Sequence, residues 1–516
     1  MVEPAPMVEQ APTAEQAGVA GAGKHGGIYR LWAVAGVLGA ITALRLLYLS
    51  VFPFDLGAEE AQYWVWAQDF AFGYYSKPPM VAWIIMATTA VCGDGVACIK
   101  LAVPLIHLLT ALAVYGIGRR LFDERVGFFS ALLYGTLPAV SFSAAIISTD
   151  PPLLLFWALA LYGLVRALED GSWRWWLLTG FGIGLGLMSK YAMAYFVLSL
   201  AVYFAIPGAH RAALLSPRLG AAMVLAAALY LPNIVWNANN GFVSFAHTAA
   251  NANLAGPLIN PGEFLDFLAA QFAVFGPILF AALLVCLLSR RAWTGDRRYA
   301  LLASFTFPTL ALVLALALLS RANANWAAPA YVAGTVLVTG WALERGRRLI
   351  VTASLALHLV LAFALFGATL IEGGAADLVS AARFDPFKRV QGWRQLGDAV
   401  SRVSARFPGV PLLFDQRRLM AELIYYVEPH PFDALKWDPD GRIDDHFDLT
   451  RGLERSGDAG AKDKGQAHLL VTLSADTSAI TSRYSHSRLL ARIRTPIGKH
   501  RHREVRIIYL EDFLGY

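Results

Sequence analysis

The sequence predicts a polytopic α-helical membrane protein of about eleven transmembrane helices, followed by a small C-terminal α/β domain. Of its 516 residues, 57% are apolar and only 16% are charged, and the mean hydropathy is +0.50. A soluble globule has no interior large enough for that apolar share. Apolar stretches of roughly 20 residues, the length that spans a bilayer core, recur between residues 30 and 371.

The N-terminal residues 1–27 contain mainly Ala, Gly, Pro and Glu and no aromatic side chain. This composition predicts a disordered cytoplasmic tail rather than a cleaved signal peptide. Eleven apolar segments follow and predict spans at residues 30–52, 96–118, 127–147, 151–167, 174–189, 192–208, 219–236, 268–288, 299–319, 326–343 and 349–371.

Basic residues fall on alternate connections between these segments, which indicates that those connections are cytoplasmic. They are Arg119, Arg120, Arg125, Arg166, Arg174, Arg211, Arg218, Arg290, Arg291, Arg297, Arg298, Arg345, Arg347 and Arg348. The other connections, at 53–95, 148–150, around 190, 237–267 and 320–325, then lie outside, together with everything after residue 372. The net charge of +6 therefore reflects membrane topology, and no nucleic-acid-binding motif is present.

The C-terminal residues 372–516 change to short alternating elements, which are typical of a small soluble α/β domain. We expect a helix over 393–407, strands at 410–414 and 468–473, a hairpin pairing 489–493 with 505–509, and a polar loop over 438–465. The three cysteines, Cys92, Cys98 and Cys286, form no metal motif. Cys92 and Cys98 can pair if their loop faces an oxidising space.

The first external connection is unusually acidic and aromatic, beginning with Asp55, Glu59 and Glu60. Helical spacing predicts a short interfacial helix with Glu59 or Glu60 on its polar side and Tyr63, Trp64 and Trp66 on the other. A carboxylate would thus lie at the membrane surface, near a lipid-linked headgroup. The alternative is that the glutamates cap a surface helix and the aromatic residues form an ordinary interface belt.

Lys77 lies later in the same connection, after Tyr74-Tyr75-Ser76 and before two prolines that restrict the backbone. This arrangement would hold an ammonium near the headgroup plane, where it can bind a phosphate. The alternative is that Lys77 snorkels to the interface.

Asp150 and Lys190 are charged residues at the external ends of apolar segments. Asp150, before Pro151-Pro152, is a candidate functional carboxylate, an N-cap, or both. Lys190 interrupts two apolar spans, where an unpaired cation is costly, so it is a functional candidate that needs a phosphate or carboxylate partner.

Two further polar clusters lie on external connections. They are Arg321, Asn323, Asn325 and Trp326, and Asn233, Trp236, Asn237 and His247. Helix capping and loop hydrogen bonds are an alternative explanation for the asparagines.

Six short motifs occur in order along these connections. They are Glu59-Glu-Ala-Gln-Tyr-Trp64, Gly73-Tyr-Tyr-Ser-Lys-Pro-Pro79 with Ala82-Trp83, Thr149-Asp-Pro-Pro-Leu153, Ser189-Lys-Tyr191, Pro232-Asn-Ile-Val-Trp-Asn237 and Asn325-Trp-Ala-Ala-Pro329. Together they resemble bacterial membrane glycosyltransferases of the GT-C superfamily, specifically the protein-mannosyltransferase-like group that includes the lipid A aminoarabinose transferases. The resemblance covers most of residues 30–371 and extends to a small external C-terminal domain.

The resemblance implies a GT-C-like catalytic domain over residues 28–371 of a bacterial inner-membrane protein, with residues 372–516 in the periplasm. It implies transfer of a sugar, with inversion, from a polyprenyl-phosphate donor to a lipid or envelope glycan such as lipid A or its core.

The resemblance also implies roles for particular residues. The family's first external loop usually carries Asp-Glu, with the Asp as presumed catalytic carboxylate; Glu59-Glu60 matches it here with an added methylene, and Asp55 is a nearby substitute. Lys77 matches the lysine that meets the donor phosphate in the aminoarabinose-transferring relatives, and Lys190 and Asp150 match a recurrent lysine and aspartate.

The predicted site therefore has three groups of residues. They are Glu59, Glu60 and Asp150 for catalysis; Lys77, Lys190, Arg321 and Tyr75 for the donor phosphate; and Asp55, Tyr63, Asn233 and Trp326 for substrate binding. Cations in a poorly hydrated pocket would stabilise the departing phosphate, and Glu59 would accept a proton from the acceptor hydroxyl.

Other functions are compatible with parts of this pattern. Protein O-glycosylation would use the same donor chemistry. A transporter or flippase of lipid-linked sugars could also use external carboxylates and intramembrane lysines, but the spans show no evident inverted repeat and the charged motifs gather at one face. A divalent metal could join the carboxylates and the phosphate, although the sequence has no dedicated ligand array.

Overall fold

The computed structural model describes residues 29–51, 54–207, 210–253, 259–290, 293–370, 388–453, 465–497 and 501–516. The predicted tail over residues 1–27 and Arg291 of one predicted cytoplasmic loop lie outside these residues. Part of the predicted polar loop, residues 454–464, also lies outside them.

The residues up to 370 form a helical bundle. Its α-helices are α1 Leu31–Ser50, α2 Ala58–Trp66, α3 Met80–Cys92, α4 Val96–Lys100, α5 Ala102–Leu121, α6 Glu124–Thr136, α7 Pro138–Ser143, α8 Asp150–Asp170, α9 Trp173–Ser189, α10 Ala194–Ala205, α11 Pro217–Asn239, α12 Val243–Ala252, α13 Pro261–Phe275, α14 Pro277–Leu288, α15 Arg297–Ser304, α16 Phe307–Leu319, α17 Ala330–Glu344 and α18 Arg348–Leu370. Short 3₁₀ helices lie at Tyr191–Met193, Arg211–Leu215 and Ala324–Ala327.

The bundle has the helices of a multi-pass membrane protein. Within the described ranges, 6 helical segments are long and apolar enough to cross a membrane, and α13 with α14 forms a further pair bent by 113°. Each of the eleven apolar segments in the sequence coincides with a helix or with two helices in close succession. The helices α3 and α12, which fall in connections, were not predicted.

Some apolar segments are broken, and the cause is local. Between α13 and α14, Gly276 has φ +87°, a conformation that favours glycine, and Pro277 then starts α14. Pro138 similarly starts α7, because proline lacks an N–H donor but fits the first turn of a helix.

Helix α9 packs closely against its neighbours through glycines. A Cβ on Gly180 would lie 2.2 Å from the carbonyl oxygen of Ala222 in α11, and one on Gly182 would lie 2.8 Å from the backbone of α8. Small residues let membrane helices approach in this way. This contact fixes the end of α9, where Lys190 follows.

The C-terminal α/β unit comprises the described residues from 388 onward. Its elements are α19 Trp393–Ser404, β1 Leu412–Phe414, α20 Arg417–Tyr426, β2 Leu435–Lys436, α21 His446–Arg451, β3 His468–Thr472, α22 Ser478–Thr481, β4 Tyr484–Pro496 and β5 His502–Phe513. The strands form one sheet in the order β2-β1-β3-β5-β4. Strand β1 is parallel to β2 and β3, whereas β5 is antiparallel to β3 and β4.

The strands and α19 lie where the sequence predicts them, but the predicted loop over 438–465 contains helix α21. Asp445 precedes this helix, and its side chain accepts hydrogen bonds from the backbone N–H groups of Phe447 and Asp448. The polar residues that suggested a loop therefore form a helix cap, a role for which aspartate is favoured.

The C-terminal unit covers helix α2, with α20 packed against it. Trp64 and Trp66 are each 1% exposed, so the prediction of an aromatic face at the membrane interface is wrong. The reason is that α20 and α21 bury that face: Trp64 contacts Tyr425, and Trp66 contacts His446.

A short loop between α3 and α4 contacts both helix α2 and the C-terminal unit. Asp94 in this loop accepts a hydrogen bond from Trp64 Nε1 on its carboxylate and one from the Tyr425 hydroxyl on its carbonyl, both at 2.7 Å. Cys92 and Cys98 form a disulfide across the same loop, as the sequence allowed.

Candidate active site

Charged side chains from separate connections meet at one end of the bundle. Burial, and then the charge of Lys190, lowers the pKa of Lys77, while Glu59 and Asp150 act in the opposite direction and Arg417 adds to the lowering. Residues far apart in the chain therefore share one electrostatic environment. Of the five, only Arg417 is absent from the predicted site.

A tight turn positions Lys77. The backbone N–H of Tyr74 donates to the Lys77 carbonyl at 3.1 Å, and the Lys77 N–H donates to the Tyr74 carbonyl at 3.3 Å. Ser244 in α12 donates to the same Tyr74 carbonyl at 2.7 Å, and two prolines lead into α3. Among the described residues, Lys77 forms no ion pair with a carboxylate, so its ammonium can take an external anion.

Asp150 is the first residue of α8 and pairs with Lys190. Lys190 Nζ lies 2.7 Å from Asp150 Oδ1, and the two side chains are 15% and 14% exposed. Asn325 Nδ2 donates to the other carboxylate oxygen at 2.7 Å. The capping position belongs to Thr149, which has no side-chain capping bond. The Asp150 carboxylate therefore neutralises Lys190 instead of capping the helix.

Glu59 and Glu60 differ in burial and in their partners. Glu60 is buried, accepts backbone hydrogen bonds from Gly57 and Ile147 at 2.9 Å, and lies 3.1 Å from Lys100 Nζ. This is a structural role that joins α2, α4 and the segment before α8. Glu59 is exposed, and its negative charge contributes to the raised pKa of Tyr63. Glu59 is thus the carboxylate of the pair that can react.

Tyr63 connects Glu59 to the rest of the cluster. Its pKa is raised well above the ordinary value, first by burial and then by the negative charges of Glu59 and Asp150. The hydroxyl therefore remains a hydrogen-bond donor at neutral pH.

Arg417 comes from the C-terminal unit, as the first residue of α20. Its guanidinium donates to the side-chain oxygen of Gln62 in α2. It acts electrostatically on Lys77, His247 and Tyr75 as well as on Tyr63. The only sequence signal for it is an Arg-Arg pair at a helix start in the C-terminal unit, 355 residues after Gln62.

His247 and Tyr75 form one wall of the cluster, with ring centroids 5.0 Å apart. Burial, and then the charges of Lys77 and Arg417, lowers the pKa of His247. The imidazole is therefore neutral at pH 7 and adds no further positive charge. Tyr75 also lies near Asp444, whose charge contributes to raising its pKa, after burial.

Two predicted substrate residues are engaged in structural hydrogen bonds. Asp55 Oδ2 accepts from the backbone N–H of Trp393 at 2.7 Å, which joins the first connection to the start of α19. Asn233 is fully buried, and its Nδ2 donates to the Phe72 carbonyl at 2.7 Å. Both side chains hold the connection that carries Glu59 and Lys77 in place, and both are engaged with backbone groups of the protein.

Arg321 and Trp326 are not drawn into the cluster. Arg321 is exposed and is not among the charges that act on Lys77. Trp326 packs against the hydrophobic core of the bundle, although its neighbour Asn325 binds Asp150.

Two adjoining cavities open beside these residues. The first, of about 980 Å³, is lined mainly by apolar side chains of the bundle, with Asp150 and Asn325 among its polar residues. The second, of about 570 Å³, lies against the C-terminal unit, and its charged lining residues are Glu59, Glu60, Lys100, Arg389, Arg418 and Arg503. Phe142, Ile146 and Leu365 line both cavities.

Lys77 and Arg417 are not lining residues of these two cavities, and their link to Glu59 and Asp150 is electrostatic. No group of three or more His, Cys, Asp or Glu side chains that could hold a metal ion occurs in the described part of the chain.

Comparisons with known proteins identify relatives of this chain. The profile of a family described as dolichyl-phosphate-mannose-protein mannosyltransferase matches residues 76–236. The lipid A galacturonosyltransferase RgtD of Rhizobium johnstonii is 37% identical over 328 residues, which are 61% of this chain and 67% of that protein. The lipopolysaccharide core galacturonosyltransferase RgtA of the same organism is 31% identical over 283 residues, 52% of this chain and 56% of that protein.

A solved structure has the same fold. The crystal structure of ArnT from Cupriavidus metallidurans bound to undecaprenyl phosphate superposes with a TM-score of 0.60 and 18% sequence identity, over 92% of this chain and 97% of that one. The likeness covers both the helical bundle and the C-terminal unit.

Proposed function

Because the chain belongs to the GT-C superfamily of membrane glycosyltransferases, we propose that it transfers a sugar from a polyprenyl-phosphate donor to a lipid or envelope glycan, with inversion at the anomeric carbon. The acceptor we propose is lipid A or its core, since the two relatives described above are named for those acceptors. The related fold of a protein whose structure holds undecaprenyl phosphate supports the donor type.

One observation carries the proposal: Lys77 and Glu59 belong to one charged cluster, and Glu59 lines a cavity that adjoins a larger apolar one. Lys77, which has no carboxylate partner among the described residues, supplies the cation, and Glu59 supplies the carboxylate. The first cavity, with its apolar lining, suits the isoprenoid chain of the donor, and the second, which Glu59 and arginines line, suits an anionic acceptor headgroup.

In the proposed reaction, the bond between the anomeric carbon and the donor phosphate oxygen breaks while the acceptor oxygen bonds to the opposite face of that carbon. Negative charge grows on the departing phosphate, and Lys77 stabilises it in a weakly hydrated setting. Glu59 accepts the proton of an acceptor hydroxyl. A phosphate acceptor is already ionised and depends less on this base.

The Asp150–Lys190 pair supports the site in a different way. Because Asp150 lies 2.7 Å from Lys190 Nζ, the lysine side chain is fixed where the start of α8 meets the end of α9. We propose that Lys190 reinforces the phosphate site and that Asp150 orients it.

The donor sugar we propose is a uronic acid. Both relatives described above are named galacturonosyltransferases. The cluster contains more than one cation, so it can bind the carboxylate of a uronic acid as well as the donor phosphate. Transfer of a galacturonic acid residue would add a carboxylate to the acceptor.

We propose that the protein lies in the bacterial inner membrane, with eleven spans within residues 28–371, a cytoplasmic N-terminus and a periplasmic domain over residues 372–516. The disulfide between Cys92 and Cys98 supports an oxidising space on the side of the site. The alternating basic loops support the opposite side as cytoplasmic.

An assay with purified protein in detergent tests the function. We expect galacturonic acid to pass from polyprenyl-phosphate galacturonic acid to lipid A, measured by mass spectrometry of the lipid. Labelling of an envelope protein instead would indicate a protein acceptor. Movement of the donor across proteoliposomes without any transfer would indicate a transporter and contradict the proposal.

Lys77→Met should lower kcat about 100-fold or more if Lys77 stabilises the departing phosphate, with the melting temperature within a few degrees of wild type. Lys77→Arg keeps the charge and should retain part of the rate. Equal rates for wild type and Lys77→Met would contradict the phosphate site.

A further inference from the structure

We propose that Arg417, supplied by the C-terminal α/β unit, binds the carboxylate of the donor sugar and so makes the enzyme selective for a uronic acid. This inference rests on the proposed function. It adds a specific residue and gives the C-terminal unit a contact with the donor, in addition to the arginines that line the second cavity.

The hydrogen bond to Gln62 fixes the position of Arg417. Arg417 is anchored on Gln62, and Gln62 lies three residues after Glu59 in the same helix. Side chains three residues apart on a helix lie on one face, with Cβ atoms about 5–6 Å apart. Gln62, which holds the guanidinium, therefore lies about one helical turn from the carboxylate that we assign as base, and Arg417 and Glu59 both act electrostatically on Tyr63 and Lys77.

The positive charge of Arg417 is available to a ligand. In the part of the chain that the structure describes, Arg417 forms no ion pair with a carboxylate, and the oxygen that holds it belongs to a neutral amide. The neighbouring lysines differ, because Lys190 pairs with Asp150 and Lys100 pairs with Glu60. Lys77 and Arg417 are thus two cations left for ligands. A polyprenyl-phosphate uronic acid carries two negative groups, the phosphodiester and the carboxylate.

Arg417 and Lys77 carry cations of different shape. A guanidinium presents parallel N–H donors that match a planar carboxylate, whereas an ammonium is a point charge. Arg417 has one donor engaged by Gln62, which leaves others for the ligand. Lys77, fixed in its turn before two prolines, suits the phosphate. The assignment of Arg417 to the sugar and Lys77 to the phosphate follows from these shapes and from the closeness of Arg417 to the helix of Glu59.

The experiment compares two donors that differ only at the sugar carboxylate, polyprenyl-phosphate galacturonic acid and polyprenyl-phosphate galactose. Each is measured for binding to the full-length protein and for transfer to lipid A, with wild type, Arg417→Gln and Arg417→Lys. Arg402→Gln, which removes an exposed charge from α19 of the same unit, is the matched control.

We expect wild type and Arg402→Gln to prefer the uronic acid donor in both binding and kcat/KM. Arg417→Gln should weaken binding of that donor about 10- to 100-fold, the loss expected for a hydrogen bond to a charged group, and leave the galactose donor within about threefold. Arg417→Lys should restore part of the preference, because lysine keeps the positive charge but lacks the parallel N–H donors of the guanidinium.

Other outcomes overturn the inference. Equal losses on both donors, or a rise only in the KM for lipid A, would show that Arg417 serves the acceptor or the fold. Equal binding of both donors by the wild-type protein would show that the protein does not recognise the sugar carboxylate. Selective, Arg417-dependent binding of the uronic acid donor without transfer would support this inference while contradicting the proposed reaction.

Discussion

Glu59 and Glu60 are adjacent in the chain, but successive residues on a helix project about 100° apart. Both line the second cavity, but Glu60 is buried against Lys100 and two backbone N–H groups, whereas Glu59 is exposed. The same acidic group serves structure at position 60 and, in our proposal, catalysis at position 59.

Exchanging each glutamate for glutamine separates these roles. We expect Glu59→Gln to lower kcat about 100- to 1,000-fold with a hydroxyl acceptor, because the proton acceptor is lost, without changing the melting temperature. Glu60→Gln should lower the free energy of unfolding by about 3 kcal/mol, because it removes one partner of a buried ion pair. The measurements are single-turnover transfer and thermal unfolding in detergent. A fully active Glu59→Gln enzyme would remove Glu59 from the mechanism.

Glu422 in α20 is a buried carboxylate with an unfavourable environment. It is fully buried, and neither carboxylate oxygen has a hydrogen-bond partner among the described residues. Burial raises its pKa well above the ordinary value, although Arg503 acts in the opposite direction. The protonated form is therefore favoured in the folded protein.

Replacing Glu422 with methionine should stabilise the protein at neutral pH. A group whose pKa is raised on folding contributes stability that is present below its unfolded pKa of 4.5 and lost as the pH rises through the folded value. We expect Glu422→Met to raise the free energy of unfolding by about 1–3 kcal/mol at pH 7.5, and by less at pH 5. A loss of stability at pH 7.5 would indicate that the carboxylate has a partner.

At the level of elements, the site depends on how closely helices α8, α9 and α11 approach. Helix α9 ends at Ser189, and Lys190 then reaches Asp150 at the start of α8. Helix α11 carries Asn233, which holds the connection before Lys77. Glycines in α9 permit these approaches, so the packing of three helices sets the distance between two charged residues.

Gly180→Ala tests this packing. The added Cβ would lie 2.2 Å from a backbone oxygen of α11, so the helices must separate, at a cost of about 1–3 kcal/mol. We expect a lower melting temperature and reduced activity. Gly220→Ala in α11 is the matched control, because nothing lies within 4 Å of its Cβ position. Equal melting temperatures for the two variants would contradict the proposed role of the close contact.

At the level of the whole molecule, the C-terminal unit covers the first connection and completes the site. The contact includes His446 of α21, which packs edge-to-face against the stacked rings of Trp66 and Tyr74. Burial, and then the charge of Arg451, lowers the pKa of His446 to about 3. The neutral imidazole is therefore the form that fits this interface.

Acid should weaken the attachment of the unit. Since the folded pKa of His446 lies below the unfolded value of 6.5, its contribution to stability is complete above pH 6.5 and is lost as the pH falls toward 3. Each pH unit in this window costs about 1.4 kcal/mol. We expect His446→Phe, which keeps an aromatic ring, to flatten the fall in melting temperature between pH 7 and 5. An unchanged slope would show that other groups cause it.

The GT-C resemblance is confirmed, as is the mainly helical membrane architecture. The positions of the β-strands agree because alternation and β-branched residues are local signals, whereas the loop predicted from the polar residues 438–465 contains a helix. The enzyme class was also predicted, because an acidic pair, a lysine before two prolines and an aspartate before two prolines are short motifs. The roles of these residues stay predictions.

Tertiary structure alone decided which residues meet. Composition could not tell that Glu60 is structural, that Asp55 binds the start of α19, or that the aromatic face of α2 lies under the C-terminal unit. It could not supply Arg417, because that contact joins residues 355 positions apart. The physical reason is that hydropathy and helical period act over a few residues, whereas pairing of charges depends on packing between distant segments.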